Sequence, residues 1–166
     1  MPGRIDGRLG ACVTDGSRLA CLRPSEHFPM QSVMKLLVGI ATLKGVDAGT
    51  LKLEEPVTLH REDLSLYVQP IADLVRLKGE YSTTIGDLIR RAIIDSDSAA
   101  TDFLIWKLGG PEQVQRTLTR MTIEAIRLDR DERHLQTEIA GLTWQPEYID
   151  PKVLDAAIAA VPTVES

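Results

Sequence analysis

Ser32-Val33-Met34-Lys35 sets a hydroxyl and an amine one helical turn apart, at the head of an apolar run. On a helix that spacing puts both side chains on one face. At a helix start, unpaired backbone N–H groups and the helix dipole favour developing negative charge. A serine hydroxyl is a weak nucleophile at neutral pH and needs an adjacent base. Lys35, partly desolvated by its neighbours, is placed to take part in that activation. The chemistry this suggests is acyl transfer through a serine ester. The competing reading is a surface Ser and Lys on an amphipathic helix, and other residues must decide between them.

A second group, Ser96-Asp97-Ser98, interrupts two helical patterns: Ile85/Leu88/Ile89/Ala92/Ile93 before it and Ala100/Phe103/Leu104/Leu108 after it. Short polar residues at such a point favour a turn or an N-cap. Read alone they mark a helix junction. Aimed into a cleft, Ser96 would relay a proton to a leaving group. A third group, residues 127–138, is a dense mixed-charge run with no clean helical stripe. It reads as a structured loop pinned by ion pairs, of the kind that often carries function. Glu132 would there be a general base that orients a hydrolytic water.

Together the three groups resemble the class A serine β-lactamases, whose signatures are Ser-x-x-Lys, Ser-Asp-Asn and Lys-Thr-Gly. Phe28-Pro29-Met30-Gln31-Ser32-Val33-Met34-Lys35 is similar to the stretch around that family's nucleophile. Leu108-Gly109-Gly110-Pro111 resembles its inter-helix turn, and Arg130-Asp131-Glu132-Arg133-His134-Leu135 its omega loop. Val46-Asp47-Ala48-Gly49 and Pro56-Val57 also fall in family order, so the likeness runs from about Arg8 to Pro146. The resemblance implies catalytic roles for Ser32, Lys35, Ser96 and Glu132. Ser32 would attack the β-lactam carbonyl, Lys35 and Glu132 would share the base role, and Ser96 would protonate the departing nitrogen. Ser98, Tyr67 and Gln136 would be substrate-binding, with Tyr67 the aromatic beside the cleft. The alternative of a penicillin-binding or transpeptidase-like relative would not need Glu132, so the loop favours hydrolysis.

The sequence departs from the family at three points. Ser98 stands where the family has Asn, and a hydroxyl lacks the paired donor and acceptor of an amide. Gln136 replaces the Asn of the omega loop and would hold the hydrolytic water from one methylene further out. No Lys-Thr-Gly-like triad follows the loop before Ser166. That triad binds the substrate carboxylate, and its strand gives one oxyanion donor. Loss of one such donor costs about 10²–10³ in rate. The expectation is therefore an incomplete serine β-lactamase-like fold of class α+β: an amino-terminal β-hairpin plus a mostly helical lobe. It would form one domain over residues 1–166, without the carboxy-terminal strands and final helix. Such a chain would be impaired alone, and would self-associate or take a carboxy-terminal fragment as partner at its unpaired sheet edge. Otherwise it would be catalytically silent and act only through association.

Composition fits a globular chain. A formal charge of −5 argues against nucleic-acid binding, and no apolar stretch approaches a membrane span. His27, His60 and His134 are too scattered for a metal site, and no cofactor is expected. The start Met1-Pro2-Gly3-Arg4 has no apolar signal-peptide core, although the family would be periplasmic or secreted.

These residues need elements to hold them. Asp15-Gly16 between 9–14 and 17–22 predicts a β-hairpin over about 7–24, the first strands of a sheet. If those two residues form the loop, Cys12 and Cys21 lie diagonally at roughly 7–8 Å, beyond disulfide reach. A longer loop would put them opposite. Buried free thiols are the expectation. A helix is predicted over 30–44, with Val33, Leu36, Leu37 and Ile40 as its stripe and closure near Gly45. Residues 51–59 read as extended. Helices follow over 84–95, 98–108 and 111–121, and another starts at Asp150-Pro151. The hairpin is the one β-rich segment expected.

Overall fold

The computed structural model describes residues 7–123 and 125–162. They fall into two compact units divided between Gln31 and Ser32. The first holds strands β1 (Ala11–Thr14) and β2 (Leu19–Leu22), an antiparallel hairpin. Its loop is Asp15–Arg18, not Asp15-Gly16 alone. The Asp15 carboxylate accepts from the N–H groups of Ser17 and Arg18, and Thr14 Oγ1 accepts from Gly16 N–H. Such Asx chemistry offers the backbone a wider turn than the tight hairpin. The register then sets Cys12 opposite Cys21 at a Cα separation of 4.1 Å, and the two form a disulfide. This corrects the expectation of buried free thiols. Cys12 is exposed, as are the apolar side chains of Leu9, Val13, Leu19 and Leu22.

The second unit holds α1 (Val33–Asp47), β3 (Pro56–Leu59), α2 (Ile71–Lys78), β4 (Tyr81–Thr84), α3 (Ile85–Ile94), α4 (Ser98–Lys107), α5 (Pro111–Arg120), α6 (Glu132–Ile139) and α7 (Pro151–Ala159). Strands β3 and β4 pair antiparallel, with Thr58 and Ser82 hydroxyls 3.0 Å apart across the ladder. The hairpin is thus not the one β-rich segment, and α2 was also unforeseen. The fold is α+β, mostly helical.

Helix α4 is central and packs against α1, α2, α3, α5 and α6. From Ser98 to Ile105 almost every side chain is buried, with Ala99, Ala100, Leu104 and Ile105 fully enclosed. A helix that is buried all round needs no polar stripe. Leu37 and Val38 of α1, Ile85 and Leu88 of α3, and Val114 and Leu118 of α5 complete the core. On α1 the buried face is Met34, Leu37, Val38 and Ala41, whereas Val33 and Leu36 are 60% and 52% exposed. The predicted stripe is therefore rotated. The helix starts are made by side-chain caps: Thr84 accepts from Asp87 N–H, Asp97 from Ala100 N–H, Asp131 from His134 N–H and Asp150 from Lys152 N–H. Pro111 and Pro151 open α5 and α7, where a missing N–H costs nothing.

Candidate active site

The start of α1, the turn before α4 and the start of α6 converge on Lys35. Ser32 is the N-cap of α1 and is exposed. The residue before it, Gln31, has φ +47°. Lys35 is 3% exposed. Its ammonium donates to Ser96 O at 2.6 Å, Ser96 Oγ at 3.1 Å and Ser98 Oγ at 3.2 Å. Those bonds use all three of its hydrogens. Glu132 Oε1 lies 3.2 Å from the same nitrogen, yet accepts no hydrogen bond from a protein group. That contact is therefore a charge contact, and the lone pairs of Oε1 are free to accept from a water.

Ser96 links this buried amine to the exposed hydroxyl: Ser96 Oγ donates to Ser32 Oγ at 3.1 Å. An unbroken path of polar atoms thus runs from Ser32 through Ser96 and Lys35 to Glu132. At the far end the Gln136 amide donates to Glu132 Oε2 at 3.2 Å, one helical turn on along α6. Ser96 holds its place with φ +53°, and Tyr67 with φ +57°. Non-glycine residues in the left-handed region are costly and concentrate at functional sites. Of the residues singled out from sequence, Ser32, Lys35, Ser96, Ser98, Glu132 and Gln136 come together. Tyr67 does not join their hydrogen bonds. Its ring is exposed, and its neighbour Val68 accepts from Ser98 N–H at 2.8 Å.

Asp97 builds the turn. Its two oxygens accept from Ala100 N–H at 2.9 Å and Ile71 N–H at 2.8 Å, so it caps α4 and anchors α2. Burial raises its carboxyl above the ordinary value, against the pull of those N–H donors. Sequence reading gave no role to Asp102, which is fully buried on α4. One oxygen accepts from Glu132 N–H at 2.7 Å. The other accepts from Ser65 Oγ at 2.7 Å and Arg133 Nε at 3.4 Å. Asp131 caps α6 and also binds Trp106 Nε1 at 2.9 Å and His134 Nδ1 at 2.5 Å. Burial pushes Asp102 up to about 7, with Asp131 adding to the shift and Ser65 and Arg133 opposing it. An acidic residue inside an apolar helix, next to the Ser96 turn, was the signal available in the sequence.

The 127–138 run is pinned as expected by ion pairs, with Arg130 bridging Asp129 and Glu138, and Arg127 bound to Asp129 at 2.5 Å. It is not simply a loop, because Glu132 begins α6. Among the described residues no cluster of His, Cys, Asp or Glu could hold a metal, and no helix is long and apolar enough to cross a membrane.

Serine hydroxyls, a buried amine and a glutamate thus meet at one point of an α+β scaffold. The profile of the Beta-lactamase enzyme family matches residues 6–157, and the chain belongs to that family. Among solved structures, the ancestral class A β-lactamase designated GNCA is 35% identical with a TM-score of 0.70, over 78% of this chain and 49% of its own. A class A β-lactamase of the last common ancestor of Gram-negative bacteria matches at 35% and 0.70, over 79% and 49%. A β-lactamase from Burkholderia vietnamiensis matches at 30% identity and 0.68, over 76% and 46%. The chain spans about half the length of these structures.

Proposed function

We propose that the protein is a serine β-lactamase, which hydrolyses β-lactams through an ester on Ser32. The observation that carries this reading is the polar path from exposed Ser32 Oγ through Ser96 Oγ to Lys35 Nζ and Glu132 Oε1, at 3.1, 3.1 and 3.2 Å. In acylation Lys35 first gives a proton to Glu132 Oε1, Ser96 turns its hydroxyl to accept from Ser32, and the Ser32 proton moves through Ser96 to the freed amine as Ser32 Oγ attacks the lactam carbonyl. The C–N bond of the ring breaks, and Ser96 returns a proton to the leaving nitrogen. Once Lys35 has recovered its proton, Glu132 Oε1 takes a proton from a water that attacks the ester, and that proton returns along the path to Ser32 Oγ as the ester C–O bond breaks. Gln136 holds the other Glu132 oxygen. Tyr67, with its exposed ring, and Ser98, whose hydroxyl also accepts from Lys35, are the proposed substrate contacts.

A carboxylate clamp and a second oxyanion donor would complete the site, and a fragment with a Lys-Thr-Gly-type strand is the proposed partner. The two-stranded hairpin, with Leu9, Val13, Leu19 and Leu22 exposed, supports such pairing and also self-association. The same surface supports the second reading, a catalytically silent chain acting through association. The Cys12–Cys21 disulfide supports an exported protein, since disulfides persist in oxidising compartments. The test is hydrolysis of a chromogenic cephalosporin by the chain with and without that fragment. Turnover that rises at least about 10³-fold on addition, and disappears in Ser32→Ala, is expected. No turnover in either case favours the silent reading.

A further inference from the structure

We propose that Asp102 is a positioning residue that makes the segment before α2, which carries Tyr67, and the start of α6, which carries Glu132, move as one. Two hydrogen bonds to one carboxylate carry the idea. Asp102 Oδ1 accepts from the backbone N–H of Glu132, and Oδ2 accepts from the hydroxyl of Ser65, each at 2.7 Å. Ser65 is fully buried and lies two residues before Tyr67. Its N–H and carbonyl are clasped by the Gln69 side chain at 2.7 and 2.6 Å, which closes segment 65–69 into a turn. Across Asp102, Arg133 extends the tie: Nε reaches Oδ2 at 3.4 Å, and its Nη1 donates to Glu62 O at 3.3 Å, on the chain leading to Ser65.

The carboxylate is the right group for this task because two acceptor oxygens can serve two segments at once. The charged groups facing it are Asp131 and Arg133, both at the start of α6, while Glu132 faces it with its backbone N–H and Ser65 with a neutral hydroxyl. Burial and the Asp131 charge disfavour its ionised form, so proton uptake near neutral pH would remove an acceptor from this junction. An amide at this position keeps one acceptor for Glu132 N–H and turns a donor towards Ser65 Oγ. The consequence for deacylation rests on the hydrolase reading above; the mechanical coupling does not.

Amide hydrogen exchange of the full chain without ligand tests the coupling in Ser65→Ala, Asp102→Ala and Asp102→Asn. Ser65→Ala is expected to speed exchange on the order of tenfold in both 64–70 and 131–139, while 33–47 stays unchanged. Asp102→Ala should do the same more strongly, and Asp102→Asn should recover most of the protection. Faster exchange confined to 64–70 in Ser65→Ala, or no difference between the Ala and Asn variants at 102, overturns the proposal. The lifetime of any penicillin adduct on Ser32 is followed in the same proteins, and should be longer in Asp102→Ala than in Asp102→Asn. Adduct-free protein throughout counts against the hydrolase reading, and exchange still decides the coupling.

Discussion

Glu132 and Lys35 are a buried pair, and each is held where it is by groups that the other does not supply. Lys35 is saturated by Ser96 and Ser98, while Glu132 is held by Gln136 and by the backbone bond to Asp102. Removing one member of such a pair strands the other, at about 3–5 kcal/mol. Glu132→Gln should therefore be chosen over Ala. In a turnover assay it should slow deacylation more than acylation, so that the acyl-enzyme accumulates on intact-mass spectra. Unchanged steady-state turnover would remove Glu132 from the mechanism. Ser98 stands where the family's motif has Asn. Its hydroxyl is spent on Lys35, so Ser98→Asn should change relative rates among substrates with different side chains more than it changes acylation of a simple penicillin. Equal effects on all substrates would contradict that.

At the scale of elements, Asp97 matters most. It satisfies one N–H in the first turn of α4 and one in the first turn of α2, so Asp97→Ala leaves Ile71 N–H and Ala100 N–H without acceptors in a dry site. Each lost partner costs about 1–3 kcal/mol, and urea denaturation should show a loss in that range or above it. A variant within 0.5 kcal/mol of the parent, roughly the surface-substitution range, would argue against this role. The elements also show what sequence could yield. Helices α3, α4, α5 and α7 were readable because each has a clear stop or start: Thr84, Asp97, Pro111 and Pro151. The face of α1 was not, since the helix is apolar on all sides and periodicity cannot choose between Leu36 and Val38. α6 was hidden because its apolar positions are few and its stability comes from the Asp131 cap and the bonds to Asp102. β4 and α2 escaped because residues 71–84 mix short patterns, and the strand exists through its pairing with β3. The site was legible as motifs, but its depth was not. Asp102 and Ser65 touch no substrate-facing atom and carry no motif.

Across the whole molecule a fully buried acid, Asp102, is set against a half-buried one, Asp87. Asp102 has a folded value raised to about 7, so its contribution is most favourable at low pH and is lost as pH rises from about 4 through 7. Asp87 runs the other way. Burial would raise it, but hydrogen bonds from Arg91, Thr83, Tyr81 and Arg90 outweigh that and hold it low, so its stabilisation is lost as pH falls below the ordinary carboxylate range. Stability should therefore peak at weakly acidic pH. Denaturant midpoints should fall between pH 5 and pH 8, and fall less in Asp102→Asn. An equal fall in both proteins would contradict the assignment. At this scale the chemistry turns on the polar path from Glu132 and Lys35 to Ser32, the proposed nucleophile. Incubating the purified chain with a penicillin and mapping the product by intact mass and peptide analysis tests it most directly. One adduct on Ser32, absent in Ser32→Ala, is predicted; an adduct that survives Ser32→Ala, or none at any concentration, would contradict it.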